Sequence, residues 1–468
     1  MTPKEFLVGK RVTVLGLGIE GVDLVRYLES QGARVTASDT KTADRLPHLR
    51  ELDNLPVRLS LGANLVEDTI NADMVFVSQA VPLDIPALVA ASERGIPLSS
   101  MTRLFLERCP GPTIGITGSS GKSTATSLVG AMFAAAGKPH VVGGNIGVGL
   151  LSLLDQVTPE TWVVLEVSHT QLELIGRSPH LACVLNVTPN HLDRYTWPDY
   201  LALKRNLLRY QTAEDTAVLN LDDPESSVMA EDARGQVVWF SRGESLPGDG
   251  AFLREGRMVW RRGGREVDAL PAADISLRGE HNVSNVLAAV AVASLCDVSS
   301  EDMARAVREF RAMPHRLELV ARTEGVDYYN DSIATTPERA LAGMRSFEEP
   351  LVLLLGGREK HLPLEDLAAE ACRRCRGVVL FGESGPVLEE AVEAAAAAYP
   401  GPQRPVMSRM DSLAEAVEVA QAVAQPGDVV LLSPACTSFD AYENFEQRGE
   451  DFRRLVRSLA SSEEGGQP

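Results

Sequence analysis

Long apolar runs are missing from this chain, and that absence already excludes one class of protein. The most apolar stretches, around Val129 to Gly137 and Asn285 to Leu295, are too short to span a bilayer. The opening MTPKEFLVGKRV has no apolar core of signal-peptide length. The expectation is therefore a cytoplasmic chain with no membrane insertion. Cysteine is also scarce: six residues in 468, at positions 109, 183, 296, 372, 375 and 436, cannot form a disulfide framework for so long a chain. Cys372 and Cys375 make a C-x-x-C, but it falls in an expected helix Leu364 to Arg376 with no second pair or His at zinc spacing. Positive charge is short too. Lys and Arg number 45 against 64 Asp and Glu, a net of −19, so the general field repels nucleic acid and any anionic ligand needs local cations.

What is present is ample apolar side chain, 44% of residues, with charged residues at 23%. That composition supports packed cores and gives no sign of disorder. The length suggests about three domains.

The first hundred residues alternate β-like runs (Val12 to Leu15, Arg34 to Ala37, Met74 to Val77) with helical patterns such as Val22 to Gln31. After a break at Cys109-Pro110-Gly111-Pro112 comes a second start: strand Thr113 to Thr117, a glycine turn, and a helix Ser123 to Ala136. Trp162 to Val167 and Ala182 to Val187 read as buried parallel strands. Gln236 to Val267 reads as a small peripheral hairpin region with solvated arginines. Beyond Met313-Pro314 the alternation restarts, with strands near Val326 to Tyr329, Leu351 to Leu355, Gly377 to Phe381 and Val429 to Leu432. The fold class is α/β in three domains, expected at residues 1–100, 101–312 and 313–468. The first and last read as Rossmann-like units, the middle one as a P-loop ATPase-type parallel sheet.

Chemistry concentrates at Thr117-Gly118-Ser119-Ser120-Gly121-Lys122-Ser123. A glycine turn between strand and helix lets backbone N–H groups wrap phosphate oxygens. Lys122 supplies a point charge for the β- and γ-phosphates of ATP and Ser123 a ligand for Mg2+. The spacing departs from the strict Walker pattern, because Gly118 stands three residues before Gly121. Glu166 ends one strand and His191 follows another, so neighbouring strands would bring a carboxylate and an imidazole to one sheet edge near that loop, a natural magnesium site. Taken alone, both are ordinary solvated polar groups. Gly16-x-Gly18-x-x-Gly21 with Asp39 fits dinucleotide binding, but physically it secures only a close backbone approach to a diphosphate. A UDP-sugar carries the same group.

In this order, the motifs resemble the Mur ligases of bacterial cell-wall synthesis over nearly the whole length. The resemblance rests on Gly16-Leu17-Gly18 with Asp39-Thr40, Thr117 to Ser123, Gly144-Asn145-Ile146-Gly147, Glu166-Val167-Ser168 and His191-Leu192-Asp193-Arg194-Tyr195. It continues through Gly279-Glu280-His281-Asn282 with Asn285, Pro314-His315-Arg316, Asn330-Asp331-Ser332, Leu355-Gly356-Gly357, and Leu432 to Cys436 through Asn444-Phe445.

The resemblance implies an ATP- and Mg2+-dependent ligase that joins D-glutamate to UDP-N-acetylmuramoyl-L-alanine through an acyl phosphate. The acidic field argues against a nucleic-acid partner, and nothing in the sequence demands a second subunit, so a monomer is expected. Gly18, Ile19, Glu20, Thr40, Lys41 and Asn145 would face the UDP-substrate. Gly118 to Thr124 (Ser119, Ser120, Gly121, Lys122, Ser123 between them), with Asn282, Asn285 and Arg316, would hold ATP. Ser123, Glu166, His191 and Lys204, the last as a carbamate, would hold the metal. Thr335, Lys360, Ser438 and Phe445 would grip D-glutamate, and Asp331 would meet the incoming amine. Lys204 read alone is a surface lysine sharing a helix face with Tyr200.

Departures from the family pattern fall at Glu20 in place of a hydroxyl, Gln79-Ala80 in place of Pro-Gly, and Ser168-His169-Thr170 in place of Ser-Ser-Phe. Asn190 replaces an acid and Ile333 a lysine. The alternatives are a related ligase using another amino acid, such as L-glutamate, and a dinucleotide-dependent oxidoreductase, which leaves Lys122 unexplained. A third is a catalytically silent nucleotide-binding module, against which Lys122, Glu166 and His191 together speak.

Overall fold

The computed structural model describes residues 7–145, 149–190, 192, 194–311, 314–398 and 404–464. The chain divides into two compact units, Met1–Ser276 with His281–Phe310, and Leu277–Glu280 with Arg311–Pro468. Among the described residues three sheets form, two in the first unit and one in the second.

The first sheet is wholly parallel, in the order Arg58–Leu61, Arg34–Asp39, Arg11–Leu15, Met74–Val77, Leu98–Ser99. Val12, Val14, Val75 and Phe76 are almost fully buried, as expected for a parallel sheet covered on both faces. The strand order reverses direction at Arg11–Leu15, and a ligand crevice belongs at the carboxyl ends beside such a switch.

The second sheet has nine strands. From its parallel edge they run His140–Gly144, Trp162–Glu166, Thr113–Thr117, Leu181–Val184, Thr216–Asn220, Gln236–Ser241 and Gly250–Arg254. Arg257–Arg262 and Arg265–Pro271 then add antiparallel pairs. The expected peripheral hairpin is thus an extension of the main sheet: Phe240, Ala251, Phe252, Met258 and Leu270 are buried in its cores. Arg257, Arg262 and Arg265 at this end meet solvent together with Glu266 and Asp268, and exposed ion pairs form there, such as Arg254 with Glu266. The helix Glu280–Leu295 is apolar on most sides and buried from Val286 to Ala293.

The second unit carries Glu318–Thr323, Val326–Asn330, Val429–Ala435, Leu351–Gly356, Cys375–Phe381 and Val406–Met410, parallel except for the first pair. The helix Glu365–Arg374 ends before Cys375, which opens a strand. The two cysteines of the C-x-x-C therefore sit on different elements, both buried and free, with burial raising both thiols. Such thiols lack the thiolate character that redox or metal chemistry needs. No helix among the described residues is long and apolar enough to cross a membrane.

Candidate active site

Thr113–Thr117 pairs with Leu181–Val184 on one side and Trp162–Glu166 on the other, with Ile116 opposite Glu166 and Thr117 opposite Val184. The strand in which sequence placed Val184 to Val187 ends at Val184, and the following segment turns back under the phosphate-type loop. There Asn186 accepts from the backbone N–H of Ser120 at 2.9 Å and donates to its carbonyl at 3.1 Å. Ser119, buried, is held by Thr188 and lies 3.2 Å from the Tyr200 hydroxyl. Gly121 has φ +81°, a conformation that favours glycine, and starts the helix Lys122–Ala135. A Cβ there would lie 2.2 Å from Asn285 Oδ1. Asn285 in turn donates to Asn282 Oδ1 at 3.0 Å, so the two asparagines expected near ATP form one buried pair against the loop. Lys122 Nζ donates to the carbonyls of Gly118 at 2.9 Å and Ser119 at 3.3 Å, folding its charge over its own turn.

Glu166 is buried at the end of its strand. Its Oε1 accepts from Asn145 Nδ2 at 3.0 Å, while Oε2 has no hydrogen-bond partner among the described residues. A buried carboxylate oxygen left without a donor is a costly arrangement that a cation would relieve. The adjoining Gly144, at φ +98°, leaves no room for a Cβ, which would sit 2.2 Å from the Glu166 carbonyl oxygen. This close approach carries Asn145 to the carboxylate.

Lys204 overturns its reading as a surface lysine. It is 1% exposed, and its Nζ donates to Thr117 Oγ1 and to the Gly118 carbonyl, both at 3.1 Å, above the Tyr200 ring. Burial, and then the nearby charge of Lys122, hold its amine well below the usual lysine range, partly offset by Glu166. A neutral amine is the form that can add carbon dioxide to become a carbamate. The signal was present in sequence: Tyr200, Lys204, Leu207 and Leu208 lie at helical spacing on one buried face of Trp197–Arg209.

No group of three His, Cys, Asp or Glu side chains able to hold a metal occurs among the described residues. The expected magnesium set draws instead on Ser123, half-buried at the helix start, Glu166, a modified Lys204, and His191. His191 lies outside the described residues, as do Ile146, Gly147 and Asp193 of the motifs. The buried Glu166 oxygen that has no partner among the described residues fits a divalent cation beside the loop.

A cavity of about 650 Å³ opens at the carboxyl edge of the first sheet. Gly18, Ile19, Glu20, Thr40, Lys41 and Asn145, the residues expected to face the UDP-substrate, all line it. Asn145 therefore touches both this cavity and Glu166. Asp39 also lines the cavity, and each of its oxygens already accepts one backbone bond: Oδ2 from Leu17 N at 2.7 Å and Oδ1 from Lys41 N at 2.8 Å. The acid that would have bound a nicotinamide dinucleotide's ribose is engaged by the backbone of the glycine turn.

In the second unit, Asp331 is buried, accepting from Leu317 N at 3.2 Å and from Ser433 Oγ at 2.8 Å. Burial pushes its carboxyl up to about 7, opposed by those hydrogen bonds and by Arg316 and Arg339. Lys360 Nζ lies 3.4 Å from Thr335 Oγ1, bringing two of the expected D-glutamate residues together. Ser438 is buried, and its carbonyl caps the turn to Tyr442. Phe445 stands edge-on to His315, and its carbonyl accepts from Ser332 Oγ.

Arg448 escaped the sequence reading. Fully buried, it donates to the carbonyls of Gly356, Ser332, Cys436 and Thr437 and to Ser332 Oγ. One guanidinium thereby ties together three of the motif segments. With no carboxylate in that set, burial lowers its pKa to about 10. Its spacing to Phe452 and Val456, both buried, was the available clue.

Three family models match the chain: a Mur ligase MurD-like N-terminal domain at residues 10–100, a Mur ligase middle domain at 116–293, and a Mur ligase glutamate ligase domain at 315–436. A UDP-N-acetylmuramoylalanine–D-glutamate ligase from Symbiobacterium thermophilum is 43% identical over 96% of this chain and 98% of its own length. A protein of the same name from Acetivibrio thermocellus is 38% identical over 97% and 98%. Among solved structures, UDP-N-acetylmuramate-alanine ligase MurC from Thermotoga maritima aligns with TM-score 0.58 at 20% identity, covering 97% of this chain and 100% of that one. MurF from Acinetobacter baumannii aligns with TM-score 0.57 at 17% identity, covering 95% and 93%.

Proposed function

The chain belongs to the Mur ligase family, and from that premise we propose that it is the ATP-dependent, ADP-forming ligase that adds D-glutamate to UDP-N-acetylmuramoyl-L-alanine in peptidoglycan precursor synthesis. The observation that carries this reading is one sheet edge. A phosphate-type loop, a half-satisfied buried Glu166 and a buried Lys204 meet there, and Asn145 connects them to the 650 Å³ cavity.

A carboxylate is a poor electrophile, so its oxygen must first become part of a leaving group. The alanyl carboxylate attacks the γ-phosphorus of ATP, forming the acyl phosphate and releasing ADP. Two anions approach in that step, and Lys122, with Arg316 as a further cation, offsets their repulsion. Backbone N–H groups of Gly118 to Ser123 orient the phosphates, and Asn282 and Asn285 support the loop and the nucleotide. Ser123, Glu166, His191 and a carbamylated Lys204 would hold Mg2+, which would supply further positive charge when bound. D-glutamate is gripped by Thr335, Lys360, Ser438 and Phe445. Its amine attacks the acyl carbon, Asp331 takes up the released proton, and phosphate leaves from the tetrahedral intermediate. The enzyme acts as a cytoplasmic monomer.

The test offers UDP-N-acetylmuramoyl-L-alanine, ATP and Mg2+ with a panel of amino acids and follows phosphate release. Release dependent on D-glutamate, and abolished in Lys122→Ala, is expected. Preference for another amino acid, or release indifferent to the amino acid, would contradict the proposal.

A further inference from the structure

Three of the departures from the family pattern, distant in sequence, meet in one hydrogen-bonded cluster at the sugar-nucleotide cavity. Gln79 Oε1 accepts from Ser168 Oγ and from Thr170 Oγ1, each at 3.0 Å. Gln171 Oε1 accepts from the backbone N–H of Ser168 at 3.0 Å. Both amide oxygens are thereby engaged, so each amide is fixed with its NH2 group as the free end. The Gln171 end and the Gln79 backbone both reach Glu20. Gln171 Nε2 donates to Glu20 Oε1 at 3.4 Å, and the backbone N–H of Gln79 donates to Oε2 at 3.3 Å.

Burial raises the Glu20 carboxyl above its usual range, and the donors fixed in this way oppose that shift by favouring the ionised, acceptor-only form. The bonds are long, and a carboxylate offers about four lone-pair sites. Glu20 therefore keeps acceptor capacity for a ligand in the cavity it lines.

The cavity also has two chemically different flanks. Lys41 and Arg45 follow the strand Arg34–Asp39, whereas Gln79, bound to Glu20, follows Met74–Val77. These strands lie on opposite sides of Arg11–Leu15. The basic flank suits a diphosphate. The acidic flank repels one and suits a neutral donor.

Resting on the ligase reading above, we infer that Glu20 is a specificity-determining residue. Its carboxylate accepts a hydrogen bond from a hydroxyl or amide N–H on the sugar half of the sugar nucleotide, with Gln79 and Gln171 as the residues that position it.

Calorimetric titration of the full chain with UDP and, separately, with UDP-N-acetylmuramoyl-L-alanine tests this in the wild type, Glu20→Gln and Glu20→Asp. The aspartate keeps the charge but is one methylene shorter. Both variants are expected to bind UDP within about twofold of wild type and the sugar nucleotide roughly tenfold or more weakly, the loss typical of a hydrogen bond to a charged group. KM for the sugar nucleotide should rise in step while kcat stays within about threefold. Equal weakening toward both ligands would move the contact to the uracil or diphosphate and overturn the inference. Unchanged affinities in both variants would reduce Glu20 to internal packing and overturn it too. A wild type that binds UDP but neither binds nor turns over the sugar nucleotide would instead sink the ligase reading itself.

Discussion

The amine of Lys204 and the carbonyl oxygen of Gly118 are joined by a 3.1 Å hydrogen bond inside the protein, so a lysine from a helix is anchored to the turn that faces the phosphates. A charged ammonium in that position would suffer both burial and the field of Lys122. Both effects favour the neutral amine, the form that is a nucleophile toward carbon dioxide. Lys204→Ala is expected to lower kcat by about 100-fold or more, the scale of losing one charge-stabilising group. Short carboxylates added to the assay should restore part of the activity by occupying the vacated space. Steady-state phosphate release with and without acetate measures this; the absence of any rescue would count against the carbamate.

Gly121 sits where neither its backbone nor its surroundings admit a side chain. Gly121→Ala would force a left-handed conformation on alanine and drive a methyl group into Asn285. A loss of stability on the order of 1–3 kcal/mol is expected from the backbone alone. KM for ATP should rise about tenfold or more as the Asn282–Asn285 pair is displaced. Thermal melting and ATP titration of the variant check both parts, and wild-type values in each would contradict the loop assignment.

Asp331 links activity and stability with opposite signs. Burial lifts its carboxyl to about 7, above its value in the unfolded chain. Protonation therefore favours the folded state: this contribution is full below the unfolded value near pH 4 and is lost as pH rises through about 7. Acting as a base, however, the residue works only when ionised. The rate of the amine step should fall as pH drops below about 7, and Asp331→Asn should reduce it by about 100-fold. The same variant can keep the bonds to Leu317 and Ser433, so it should melt higher than wild type at pH 8, with the difference shrinking toward pH 5. A variant less stable than wild type at pH 8 would argue against the raised carboxyl.

Much of the site is legible in the sequence itself. Strand, glycine turn and helix follow from local rules, and those rules placed Gly118 to Ser123, Glu166 and the first-sheet turn correctly on their elements. Two kinds of feature escaped. The strands from Gln236 to Pro271 are short and interrupted by arginines, so local pattern made them peripheral, although Phe252 and Met258 pack in the core of the main sheet. Arg448, and Lys204 when read apart from the family resemblance, escaped because composition assigns long cations to the surface. Their helical spacing pointed inward, and only tertiary partners, a loop carbonyl for one and four carbonyls for the other, make such burial tolerable.

The double grip of Leu17 and Lys41 on Asp39 has a consequence for redesign. Converting this first unit into a cofactor-dependent dehydrogenase would require more than reshaping the crevice. The aspartate would first have to be released from the turn it braces, and the turn would slacken with it. The likeness to dinucleotide folds holds in outline, while the acid that gives such folds their ribose preference here also braces the glycine turn.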